Sequence, residues 1–219
     1  MNSLTASDKP LIAVLDYGIG NLRSAQKGLQ FVGADARLTS DLKLISDADA
    51  VVLPGVGNFG ACMTALREAG LESAVHDAIA TPRPFLGICV GMQMLFESSE
   101  ESPGVLGLGV ITGEIRWLPA DVQKPQMQWN QLKILKQDEM FAGISENPWM
   151  YFVHSLSAVP QLQSVVVANC NYGTDLVAAI RSENIFATQF HPEKSATEGL
   201  KILENFVATC GSERASTKA

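Results

Sequence analysis

The chain is short of the residues that several classes of function require. Sixteen lysines and arginines stand against 23 aspartates and glutamates, a formal net charge of -7, so no basic footprint exists for nucleic acid or an anionic membrane. The three histidines, His76, His154 and His191, show no ligand spacing and no companion cysteines, which argues against a metal site. Four cysteines, Cys62, Cys89, Cys170 and Cys210, form no C-x-x-C pair and no disulfide-like cluster, as expected of a reducing compartment. No apolar run approaches the roughly 18 residues of a spanning helix. Met1–Pro10 has no apolar h-region. Together these absences predict a cytosolic protein whose partners are small molecules or other proteins.

What is present is apolar: 47% of 219 residues, enough for one good core. One domain spanning residues 1–219 is expected, ordered over about 10–210, with loose polar ends at Met1–Lys9 and Gly211–Ala219. In the first half, apolar runs at Leu11–Leu15, Ala34–Leu38, Ala50–Leu53 and Phe85–Ile88 alternate with helical spacing. Leu22, Ala25, Leu29 and Val32 share one face, and Ala61–Ala80 is helical with a break at Gly70. From Gly109 onward short strand-like runs dominate: Val110–Trp117, Leu132–Leu135, Met150–Val153, Val165–Asn169, Val177–Ile180 and Ile185–Gln189. The fold class expected is therefore α/β, a mostly parallel sheet flanked by helices with an appended antiparallel layer. A last helix should start near Ser195, where Ser195-Ala-Thr-Glu198 matches a capping box.

The stretch Gly87-Ile88-Cys89-Val90-Gly91 carries the chemistry. It joins the strand Phe85–Ile88 to helical spacing at Met92, Leu95 and Phe96, and its two glycines clear space for a strained nucleophile elbow. A thiol at a helix N-terminus is favoured as thiolate, so Cys89 is a candidate nucleophile; the alternative is an inert buried cysteine. Gly55-Val-Gly-Asn-Phe-Gly60 matches G-x-G-x-x-G after a strand. A dinucleotide site would need an acidic residue closing the next strand, where Cys89 stands instead. The same loop can present N–H groups to an oxyanion, as a thiol attacking a carbonyl requires. In Gln189-Phe-His-Pro-Glu193, an extended backbone would put His191 and Glu193 on one side, the carboxylate orienting the imidazole. Cys89, His191 and Glu193 then form a nucleophile, general acid/base and orienter; the alternative is a surface histidine beside a solvated acid.

Gly87–Gly91 together with Gln189–Glu193 resembles the triad-type glutamine amidotransferase family, over roughly Leu11 to Val207. Asp16–Asn21, Leu53–Gly57, Gly91–Gln93, Trp129-Asn130, Tyr151–Ser155 and Gln189–Ser195 resemble the branch of that family serving histidine biosynthesis. The resemblance implies glutamine as substrate, no cofactor and no metal. It implies that Cys89 attacks the glutamine amide, that His191 protonates departing ammonia and activates water on the thioester, and that Glu193 holds His191. The oxyanion would lie between the Val90 N–H and a peptide of Gly55-Val56-Gly57. Gln93, with Val153, His154 and Ser155, would bind substrate, and Glu101 would receive its ammonium group. The implied partner is a (β/α)8-barrel cyclase in a heterodimer, facing Asn21, Trp129, Tyr151 and Lys194. Gln128 stands where the family commonly has glycine; ordinary extended angles and a side chain facing the partner are expected there. Two alternatives are the same chemistry serving another synthase, such as one aminating a sugar, and a non-enzymatic regulatory protein on this fold. The presence of all three triad residues weighs against the second.

Overall fold

A computed structural model describes residues 9–20 and 22–216. The first half alternates as expected: β1 (Leu11–Leu15), α1 (Leu22–Phe31), β2 (Asp35–Thr39), α2 (Leu42–Asp47), β3 (Ala50–Gly55), α3 (Phe59–Glu68), α4 (Glu72–Ile79), β4 (Phe85–Cys89) and the single turn α5 (Val90–Gln93). Strands β3 and β4 are buried at every position, which a parallel sheet covered by helices on both faces demands. Local chemistry sets the helix ends. Asp41 accepts from the N–H groups of Lys43 and Leu44, and Asn58 accepts from that of Ala61. Gly70, at φ 69°, makes the break between α3 and α4.

The second half supplies β5 (Phe96–Ser99), β6 (Ile111–Trp117), β7 (Gln126–Ile134), β8 (Trp149–His154), β9 (Leu156–Pro160), β10 (Val166–Tyr172), β11 (Thr174–Ser182), β12 (Ile185–Thr188) and α6 (Ala196–Ser216). Nine strands form one sheet in the order β2-β1-β3-β4-β12-β11-β10-β7-β8, and β5-β6-β9 form a second, smaller one. Neighbours from β2 through β12 run parallel, and from β12 outward to β8 they run antiparallel. The return of β12 to the side of β4 is the decisive crossing. With Gly55 opposite Cys89 and Thr188 opposite Ile88, the C-terminal ends of β3, β4 and β12 stand side by side. Open α/β sheets place their sites at such ends.

Two expectations need correction. The helix after Cys89 does not reach Phe96, because Leu95 N–H closes on Met92 O and residues 94–96 bond to the 108–110 segment instead. Ser195-Ala-Thr-Glu198 is not a capping box. The Ser195 hydroxyl donates to His191 O at 2.6 Å and accepts from Tyr151 N–H at 2.9 Å, while Glu198 accepts from Ser145 N–H. Helix α6 runs past Gly211 to Ser216. Strands β5 and β9 were not legible: both complete the smaller sheet by pairing with β6.

Candidate active site

Cys89 ends β4 at φ 55° and ψ -113°, outside the ordinary range of an L-residue, and α5 begins at the next residue. Such a conformation costs on the order of 1–3 kcal/mol and persists only where the surroundings impose it. Here the β3 backbone does so: a Cβ on Gly91 would lie 1.8 Å from Leu53 O, and one on Gly55 would lie 2.8 Å from Gly91 N. The glycines let two backbones pack together and force the thiol outward.

His191 follows β12 with the extended angles expected of it, but Pro192–Lys194 form a short 3-10 turn, so the extended run stops before Glu193. The turn nevertheless folds Glu193 back, and His191 Nδ1 lies 2.9 Å from Glu193 Oε1 with both side chains buried. The carboxylate accepts the Nδ1 proton, which turns Nε2 toward the reaction. Nε2 makes no hydrogen bond among the described residues, yet Cys89 is near enough to weigh on its charge. Burial alone would lower the imidazole's pKa; the Cys89 and Glu193 side chains outweigh it and hold the ring up to about 9. At neutral pH the ring is therefore an imidazolium, ready to give a proton. The segment is clamped from β8, where Tyr151 O accepts from His191 N–H at 3.0 Å.

A cavity of about 350 Å³ unites the site: Cys89, His191, Val56, Gly57 and Val90 line it on the reacting side. Gln93, Glu101, Val153, His154 and Ser155 line it too, as does Lys194, which the sequence places at the partner surface. Gly55 does not line the cavity and serves the packing described above. A larger cavity of about 570 Å³ sits at the other end of β4, beside Pro84, Arg181 and Asn184. Its lining has no cysteine, serine or histidine. Arg181 is paired with Asp138, and Asn184 Nδ2 donates to the carbonyls of Thr81 and Arg83.

Several side chains are committed elsewhere. Glu101 Oε2 accepts from Phe59 N–H at 2.7 Å at the start of α3. Its neighbours Glu97 and Glu100 accept from Gly113 and Trp117 N–H groups of β6, within the smaller sheet, so this acidic stretch is largely engaged by backbone. His154 lies 2.7 Å from Leu156 O through Nδ1 and 2.9 Å from the Gln126 side-chain oxygen through Nε2. Burial pushes its pKa down to about 4, and a neutral ring donates from one nitrogen only. The Gln126 amide must therefore be turned with its nitrogen toward the ring, which also gives that otherwise unpartnered nitrogen an acceptor. His154 is a structural histidine. Among the described residues no group of His, Cys, Asp or Glu side chains is placed to hold a metal.

Gln189 was passed over by sequence reasoning. It is fully buried, and its Nε2 donates to Cys89 Sγ at 3.7 Å while its Oε1 accepts from Gln93 at 2.9 Å. Its position two residues before His191 at a strand end was the available signal.

Of the expected interface residues, Trp129 and Tyr151 sit on the β7–β8 ribbon, and Lys194 lies in the turn after β12. Trp129 pairs in register with Tyr151, their rings 6.2 Å apart edge to face, and the Tyr151 ring is 6.5 Å from His191. Trp149 and Met127, which sequence reasoning missed, share that face and are 52% and 65% exposed. Gln128 does not belong with them: it pairs with Phe152, on the face opposite Trp129, although its backbone has ordinary φ as expected. Asn21 lies outside the described residues.

The chain matches the family model for glutamine amidotransferase class-I over residues 14–210. It is 49% identical over 197 residues to the imidazole glycerol phosphate synthase subunit HisH of Methanothermobacter thermautotrophicus, covering 90% of this chain and 98% of that one. The subunit of the same name from Aquifex aeolicus is 47% identical over 194 residues, covering 88% of this chain and 94% of its own. A solved glutamine amidotransferase superposes with a TM-score of 0.72 at 22% identity, covering 91% of this chain and 98% of the other. PurLQS from Thermotoga maritima gives a TM-score of 0.70 at 19% identity, covering 94% and 99%. These two show the fold alone.

Proposed function

The chain belongs to the class-I glutamine amidotransferase family, and from that premise we propose that it is the glutaminase subunit of an imidazole glycerol phosphate synthase. The observation that carries the chemistry is one cavity holding the strained Cys89 and the buried His191–Glu193 pair. Cys89 Sγ, as thiolate, attacks the side-chain amide carbon of glutamine. The resulting oxyanion is held by N–H groups of Val90 and the Gly55-Val56-Gly57 loop, a donor set in which each member is worth about 10²–10³ in rate. His191 passes its proton to the nitrogen as the C–N bond breaks and ammonia leaves. The ring, now neutral, takes a proton from water, whose oxygen attacks the thioester; the C–S bond breaks, releasing glutamate and restoring the thiolate–imidazolium pair. Gln93 and the backbone of Val153, His154 and Ser155 position the substrate, and Glu101 faces its ammonium group through the oxygen not bonded to Phe59.

The names of the relatives support a two-part synthase. A (β/α)8-barrel cyclase in a heterodimer is the partner we assign, adding the ammonia to a phosphoribulosyl-formimino carboxamide ribotide. A sealed junction has a chemical reason, because ammonia freed into neutral water is mostly protonated and loses its nucleophilic lone pair. The exposed face of Trp129, Trp149 and Met127, with Lys194 at the cavity, supports docking on the β7–β8 side. The test is Cys89→Ala in the chain co-purified with its native partner. Glutamine-dependent synthesis of imidazole glycerol phosphate should vanish while synthesis from added ammonium salt continues; retained glutamine-dependent synthesis would refute the assignment.

A further inference from the structure

A buried side chain outside the triad hydrogen-bonds the Cys89 sulfur. Gln93 Nε2 faces two acceptors, Gln189 Oε1 at 2.9 Å and Leu156 O at 3.5 Å, so the nitrogen end of that amide is fixed by its surroundings. Gln189 Oε1 is thereby occupied as acceptor, which leaves Gln189 with its NH2 toward Cys89 Sγ at 3.7 Å. Both glutamines are nine-tenths buried or more, and neither can swing into water for a substitute partner. An N–H donor stabilises a thiolate more than a thiol, because a hydrogen bond to a charged acceptor is the stronger.

We propose that Gln189 is a catalytic residue that holds the Cys89 sulfur as thiolate, and that Gln93 is the positioning residue that keeps the Gln189 amide in the donating sense. The proposal rests on the reading of Cys89 as the nucleophile. The donor acts when sulfur carries charge: before attack, and again when the C–S bond of the thioester breaks and its electron pair returns to sulfur. His191 handles the protons in both half-reactions, so no proton moves through Gln189. The arrangement also explains a neutral amide at a fully buried position beside the triad, where an apolar residue would pack equally well.

The test reads the thiol directly, without glutamine, partner or turnover. Cys89 is alkylated with iodoacetamide across the pH range, and modification is followed on the Cys89 peptide by mass spectrometry. Gln189→Met keeps the volume and removes the donor; it should raise the pH midpoint of alkylation by about one unit and slow modification about tenfold at pH values below the native midpoint. Gln93→Met should move the midpoint the same way by less, and the double variant no further than Gln189→Met alone, since one chain is being cut twice. An unchanged midpoint in folded Gln189→Met overturns the proposal. Where Gln189→Met fails to fold, Gln189→Glu keeps the shape but turns an acceptor to the sulfur; it should raise the midpoint, and an unchanged one is equally fatal. A wild-type Cys89 that titrates as an ordinary thiol would remove the nucleophile reading itself, which separates that failure from the failure of Gln189.

Discussion

At Cys89 the backbone angles that turn the thiol into the cavity are imposed by neighbours rather than chosen by the residue. Gly91 is the permissive position, since its missing Cβ is all that separates α5 from Leu53 O. Gly91→Ala should force the two backbones apart, lowering stability by about 1–3 kcal/mol and Tm by several degrees. Glutaminase activity should fall more than the melting curve implies, because the elbow itself moves; a variant with native Tm and turnover would show that the turn is slack. The two buried histidines act on stability with opposite sign. His154 has its pKa lowered to about 4, so the unfolded chain binds its proton first as pH falls; its contribution is complete above about pH 6.5 and lost on descent through 4. That is about 3 kcal/mol of pH-dependent stability. His191 is held up to about 9, so its contribution is complete below about 6.5 and lost as pH rises through 9. Urea unfolding of His154→Leu should therefore differ most from the native chain near neutral pH and least near pH 4. A difference independent of pH would mean that His154 titrates normally.

Among the elements, the junction of β12, the 191–195 turn and α6 carries the most consequence for its size. Ser195 uses its hydroxyl on both sides, donating to His191 O and accepting from Tyr151 N–H, so a residue that resembles a helix cap instead fixes the catalytic turn to β8. Ser195→Ala leaves the Tyr151 N–H without its acceptor and should cost about 1–3 kcal/mol. Glu198→Ala removes only an exposed contact to Ser145 and should stay within about 0.5 kcal/mol. Thermal denaturation of the two variants distinguishes this arrangement from a capping box, in which both would matter. The same junction brings Lys194 to the cavity beside His191.

For the molecule as a whole, the β7–β8 ribbon ends the large sheet and presents Met127, Trp129 and Trp149 on one face. Trp149 is half exposed and outside the cavity, which separates docking from chemistry. Trp149→Ala should leave the free chain's stability within about 0.5 kcal/mol. Its affinity for the cyclase should drop at least about tenfold, as for a buried aromatic anchor. Titration calorimetry against the native partner measures this, and equal affinities would move the interface off the ribbon. No helix among the described residues is long and apolar enough to cross a membrane.

How much of this was legible in the chain follows from the range of each interaction. The apolar runs that became β1, β3 and β4, the break at Gly70 and the glycines around Cys89 speak through neighbours a few residues away, and the sequence determined them. Motif spacing likewise determined Cys89, His191 and Glu193 as candidates. Only the tertiary structure decided that β12 returns beside β4, because strand pairing is settled by packing across the whole sheet. It also decided that residues 94–96 leave the helix, that Ser195 accepts from the Tyr151 N–H and that Gln128 faces away from Trp129. In each case a hydrogen bond or register partner distant in sequence overrode the local pattern. Gln189 belongs to the same class: its neighbours in the chain say only that it is buried in a strand end, and its contact with the Cys89 sulfur exists because two strands lie side by side.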